Sequence, residues 1–152
     1  MLNKMSRSAA ATMVFLSAGV LLAPTVHADP VSDIQDAVGS LRSGSSCPPL
    51  HHDPVVDQAA ATITRVNAGY VNHTGTTEPV ADVLPGLKDL GYGGNKATML
   101  QGAAPDHGDS VKAMLLEGYA TLRDCSYTDF GMDVRSDDTT GITYSVLVLA
   151  GP

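Results

Sequence analysis

The sequence predicts an α+β protein: an α-β-α sandwich in which helices cover both faces of a small antiparallel sheet. Three observations carry this. Thr128 to Arg135 alternates, with Phe130, Met132 and Val134 on one side and Asp129, Asp133 and Arg135 on the other, the period of a half-buried strand. Ile142 to Ala150 is apolar on both parities, with Tyr144, Val146 and Val148 opposite Leu147 and Leu149, so that strand needs cover on both faces. The segments before this pair repeat their apolar residues at helical spacing. Helices followed by a hairpin with a doubly covered strand give a layered sandwich.

The elements follow in order. Lys4 and Arg7 precede an apolar run, Ala9 to Ala23, then Pro24 and the small-x-small triplet Val26-His27-Ala28. This is the order of a secretory signal peptide with cleavage after Ala28; the run falls short of the roughly 20 residues of a membrane-spanning helix. An uncleaved membrane anchor is the alternative. Residues 29–152 then form one domain, with no internal repeat and no later segment apolar enough to span a bilayer. Asp29-Pro30 opens a helix as cap and first-turn proline, with Val31, Ile34, Val38 and Leu41 recurring until Ser43-Gly44. The loop SGSSCPPLHH follows. Asp53-Pro54 repeats the same start for a long helix whose face is Val56, Ala60, Ile63, Val66 and Tyr70. Pro79 to Leu90 predicts two short helical turns around Pro85-Gly86. Ala97 to Gln101 predicts a short strand, Ala103 to Asp109 a loop, and a helix from Asp109 or Ser110 directs Val111, Met114, Leu115 and Leu122 inward.

Composition excludes some functions. Loss of Lys4 and Arg7 with the leader leaves seven basic residues against 16 acidic ones, a balance of −9. A phosphate-binding surface needs clustered Lys and Arg, so nucleic acid and anionic membrane are poor partners. The chain has no tryptophan, which removes the usual large stacking platform. The two cysteines, Cys47 and Cys125, read as a disulfide in an exported chain; two separate buried thiols are the alternative. A loop of that length is worth about 4–5 kcal/mol on the chain-entropy account.

Gly118 to Val134, GYATLRDCSYTDFGMDV, resembles a segment of bacterial secreted proteins of the CAP superfamily (cysteine-rich secretory protein, antigen 5, pathogenesis-related 1). That segment has the form H-R-x-N-I-L-x-C-x-(F/Y)-T-(E/D)-(I/V)-G-V-G-V. Leu122, Cys125, Tyr127, Thr128, Asp129, Phe130, Gly131 and Val134 are in register. Leu41-Arg42 with Cys47-Pro48-Pro49-Leu50, the helix Asp53 to Val66, Gly69 to Thr74 and Leu90-Gly91-Tyr92 are similar to further family segments in the same order. The resemblance implies an α-β-α sandwich with a polar cleft of two histidines and two acidic residues, which in some members binds a divalent cation.

The departures fall on that cleft. The first histidine corresponds to His73, the second to Gly118, and the glutamate to Ala97 or a neighbour. A lone histidine is a poor metal site, so no metal and no cofactor is expected. His73 with Glu117 and Tyr119, which flank the lost histidine, are the candidate residues of a remnant binding site. His51-His52-Asp53 is read as structural: adjacent imidazoles diverge, and Asp53 serves as a helix cap. Gly91 to Gly94 lacks the Lys-Ser/Thr of a phosphate loop and reads as a turn. No G-x-S-x-G elbow occurs, and a disulfide would consume any cysteine nucleophile.

The expectation is a secreted or envelope-associated, non-catalytic domain. The resemblance implies an apolar small molecule, lipid or sterol-like, or a cell-surface component as its partner. The rivals are a metal-assisted hydrolase centred on His73 and a structural envelope protein.

Overall fold

A computed structural model describes residues 29–152; the expected leader lies outside the described residues. Helix α1 (Pro30–Ser43) is followed by the short strand β1 (His51–His52), the long helix α2 (Pro54–Val71) and the short helix α3 (Leu84–Asp89). Strand β2 (Lys96–Ala104), helix α4 (His107–Glu117), a 3₁₀ turn (Thr121–Arg123) and the hairpin β3 (Asp129–Asp137) and β4 (Ile142–Gly151) complete the chain. The sheet order is β1-β3-β4-β2. The α+β class and the sandwich agree with the sequence.

Three of the four strands are antiparallel, with Phe130 facing Leu149 and Leu100 facing Leu147. The sheet is nevertheless mixed, because β1 runs parallel to β3 and sets His51 against Asp129. The segment read as loop thus ends in two strand residues, held by His51 N donating to Thr128 O at 2.8 Å and Asp53 N to Phe130 O at 3.0 Å.

Strand β4 is buried along almost its whole length. Leu147 and Leu149 join Phe130, Met132, Ile34, Val38, Val111, Met114 and Leu122 beneath α1 and α4. Val146, Val148 and Ala150 face the other way, against Val56, Ala60 and Ile63 of α2 and Leu87 of α3. Each of the Val, Leu, Ile, Phe and Met side chains among them contributes about 1.5–3 kcal/mol. Gly131 lies under the start of α2, where a Cβ would strike the Val56–Asp57 backbone; this lets helix and strand meet closely.

Several boundaries differ from expectation. Aspartates cap α1, α2 and α4: Asp29 accepts from Val31 N, Asp53 from Val55 N and Val56 N, and Asp106 from Asp109 N. The last starts α4 at His107, two residues early. Strand β2 runs on to Ala104 because nine consecutive residues find partners on β4. Between Pro79 and Leu90 one helix forms rather than two turns, with Pro85 inside its first turn, where its missing N–H costs little. The buried line of α2 passes through Asn67, while Val66 is half-buried and Tyr70 exposed. Residues 56, 60, 63 and 67 align at 3.6 residues per turn, and the Asn67 amide has a polar partner across the interface.

Arg42 is 2% exposed and forms no ion pair among the described residues. Its guanidinium instead donates to four backbone carbonyls: Pro48 (2.9 Å), Leu122 (2.9 Å), Asp124 (2.9 Å) and Tyr127 (2.7 Å). It therefore ties α1 to both segments joined by the Cys47–Cys125 disulfide. The fork geometry of arginine suits this role.

Candidate functional site

A cleft of about 360 Å³ opens beneath the C-terminal half of α2, within the usual range for small-molecule sites. Val71 and Pro79 form one wall, Ala103 and Val146 of the sheet another, and Asn67, Gln101 and Tyr144 supply the polar groups. Val146 faces Gln101 and Tyr144 faces Ala103 across β4 and β2. Strand alternation puts Tyr144 and Val146 on the α2 face.

The Asn67 amide donates to Gln101 Oε1. The Gln101 backbone N–H donates to Glu117 Oε2 at 3.3 Å. Asn67 Oδ1 and the Tyr144 hydroxyl are buried without a partner among the described residues. Unpaired buried oxygens cost about 1–3 kcal/mol each, and beside a cavity they mark where water or a ligand group is held.

The three residues singled out from sequence stand apart. His73 is exposed on the turn after α2, with φ +57°. The turn is closed by Thr74 N and Gly75 N donating to Gly69 O, and Asn72 Nδ2 donates to Asp137 Oδ2 at 2.6 Å. Glu117, at the end of α4, reaches the edge of β2 and so connects to the cleft through Gln101. Tyr119 is half exposed and receives a hydrogen bond from Arg123 Nη1 at 3.2 Å. It lines an apolar groove between α1 and α4 together with Leu41, Val111, Leu115 and the exposed Leu116. No hydrogen bond joins His73, Glu117 and Tyr119 to one another among the described residues.

At the other end of α2 the adjacent histidines diverge. His52 Nε2 lies 2.6 Å from Asp57 Oδ2 and its ring packs on Phe130, while His51 Nδ1 lies 3.3 Å from Asp129 Oδ1. Asp53, Asp129 and His51 offer ligand atoms within 4.8 Å of one another, the one such set among the described residues. The Tyr92 hydroxyl donates to Asp129 Oδ2 at 2.6 Å. Burial, this hydrogen bond and the charges of Asp129 and Asp53 hold that hydroxyl protonated well above its ordinary range. Asp129 lies 76 residues from Asp53, and no spacing in the sequence signals their meeting.

No protein-family model matches the chain, and no curated protein matches it. Solved structures do. An outer surface protein from Borrelia burgdorferi aligns at TM-score 0.64 and 14% identity, over 80% of this chain and 92% of its own. A cysteine-rich secretory protein from Staphylococcus aureus aligns at TM-score 0.61 and 16% identity, over 81% of this chain. An extracellular protein containing an SCP domain, from Bacillus anthracis, aligns at TM-score 0.54 and 18% identity, over 81%. The chain has the CAP fold.

This chain spans only 39% and 40% of those last two proteins, so the shared part is the domain. Gly118, Ala97 and His73, which the resemblance assigns to a polar centre, lie in different surroundings. Gly118 is buried, and a Cβ there would overlap the Leu100 side chain. Leu100 itself is 4% exposed and belongs to the core. Ala97 packs on the opposite core beneath α2. Apolar packing stands where the resemblance implies histidine and glutamate, and His73 faces outward from its turn.

Proposed function

We propose that the protein is a CAP-fold binding module of the cell exterior or envelope. It takes an apolar small molecule, lipid or sterol-like in character, into the cleft beneath α2 and performs no catalysis on it. The observation that carries the reading is the cleft itself: walls of Val71, Pro79, Ala103 and Val146, with hydrogen-bonding groups from Asn67 and Tyr144. Such a site suits a ligand with an apolar body and one polar group. The core packing of Leu100 against Gly118 supports the absence of acid–base chemistry, since general acids and bases must converge on a reacting atom. The outer-surface and extracellular neighbours support the location.

The test is a binding titration with a fluorescent fatty acid and a fluorescent sterol, on the wild-type protein and on Ala103→Phe, which fills the cleft. Saturable binding of either probe that is lost in the variant supports the reading. Saturable binding that survives unchanged in Ala103→Phe places the ligand elsewhere and contradicts it.

A further inference from the structure

We propose that His51, Asp53 and Asp129 form a binding site for one divalent transition-metal cation of the zinc class. The site is separate from the cleft, since Asp53 precedes the first residue of α2 and the cleft lies under its last turns.

The three donors come from two places in the sequence, and the backbone fixes all of them. Parallel pairing of β1 with β3 sets His51 opposite Asp129, and Asp53 N donates to Phe130 O just beyond. Each carboxylate is oriented by one of its oxygens. Asp53 Oδ1 accepts from Val55 N at 2.7 Å and Val56 N at 3.2 Å. Asp129 Oδ2 accepts from Tyr92 Oη at 2.6 Å and Thr128 Oγ1 at 2.9 Å. One oxygen of each remains for an ion, and outer hydrogen bonds of this kind are what hold metal ligands in place. His52, turned to Asp57 and Phe130, leaves His51 as the single imidazole.

Charge and space agree. Among the described residues no Lys or Arg pairs with Asp53 or Asp129; the one ion-pair partner of Asp129 is His51. A cation would relieve the mutual repulsion of the two carboxylates. The pair borders a cavity of about 510 Å³, lined also by Tyr92, Asn95 and Thr128, which leaves room for water to complete the coordination. One imidazole with two carboxylates suits zinc. Calcium prefers six to eight oxygens.

Isothermal titration of the secreted protein with zinc chloride, and separately with calcium chloride, tests the site. The expected result is one zinc per chain, with calcium at least about tenfold weaker. Asp129→Asn, which keeps the shape of the side chain, and His51→Ala each weaken zinc by about tenfold or more, while His73→Ala leaves it unchanged. Circular dichroism confirms that the variants fold, and Asp129→Asn decides if His51→Ala does not. No zinc binding up to millimolar concentration, equal affinity for calcium, undiminished binding in folded Asp129→Asn, or loss of binding in His73→Ala would overturn the proposal.

Discussion

Leu100 occupies the space that any side chain at Gly118 would need. One residue sits mid-strand in β2, the other just past the end of α4, and both are buried. The resemblance to CAP proteins puts a histidine at Gly118, so the contact turns a position for chemistry into a position for packing. Gly118→His would force an imidazole into a filled core and should cost about 1–3 kcal/mol. Combining it with Leu100→Ala should recover part of that loss, because the second change opens the space. Urea denaturation of the two variants measures both effects. A Gly118→His protein as stable as wild type would show that the position is open.

Arg42, at the end of α1, predicts a larger effect on the same face of the sheet. Arg42→Met removes the side-chain donor from the carbonyls of Pro48, Leu122 and Tyr127 and one of two donors from that of Asp124, and should cost about 3 kcal/mol or more. Arg42→Lys keeps the charge but loses the planar fork, so it should fall between wild type and Arg42→Met. Chemical denaturation at neutral pH orders the three proteins.

Removal of the disulfide acts on the same corner. Cys47 and Cys125 are 78 residues apart in sequence, and replacing both with serine should cost about 2–5 kcal/mol. Arg42→Met combined with the double serine variant should deviate from additivity, because both devices fix the loop after α1 to the segment before β3. A double-mutant cycle measures the coupling.

Acid should destabilise the protein through two partly exposed carboxylates. The Asp124 carboxyl is held well below its ordinary range by hydrogen bonds from Ser126 and Lys96. Asp137 is lowered by its bond from Asn72 and by the Thr139 N–H. A lowered carboxyl favours the folded state while it is ionised. That contribution is complete above the unfolded value, near pH 4, and is lost as pH falls from there through the lowered folded values. Stability curves of wild type and Asp124→Asn should therefore converge below about pH 4, with the variant flatter; parallel curves would exclude a role for Asp124.

The parts of the fold legible in sequence were those set by local pattern. The aspartate caps, the alternation of Phe130, Met132 and Val134, and the two-sided burial of Ile142–Gly151 depend on neighbours within a few residues. What the pattern hides are meetings of distant residues. Asn67 looks misplaced on an apolar face until Gln101 is seen across from it, 34 residues on. Arg42 gives no sign that it is buried, since its partners are carbonyls, which every residue carries. His73 reads as a site residue by resemblance, and nothing in the pattern shows that it stands exposed in left-handed backbone at φ +57°. Asp129 reads as the polar side of a strand, and only the parallel pairing of β1 makes it a neighbour of His51.

The central claim, an apolar ligand held beneath α2, is tested most directly by native mass spectrometry of the protein purified without detergent. The account predicts a discrete adduct of lipid-like mass that is retained by wild type and His73→Ala and absent from Ala103→Phe. A wild-type protein that carries no adduct and takes up none from added lipid, or an adduct unaffected by Ala103→Phe, would contradict it.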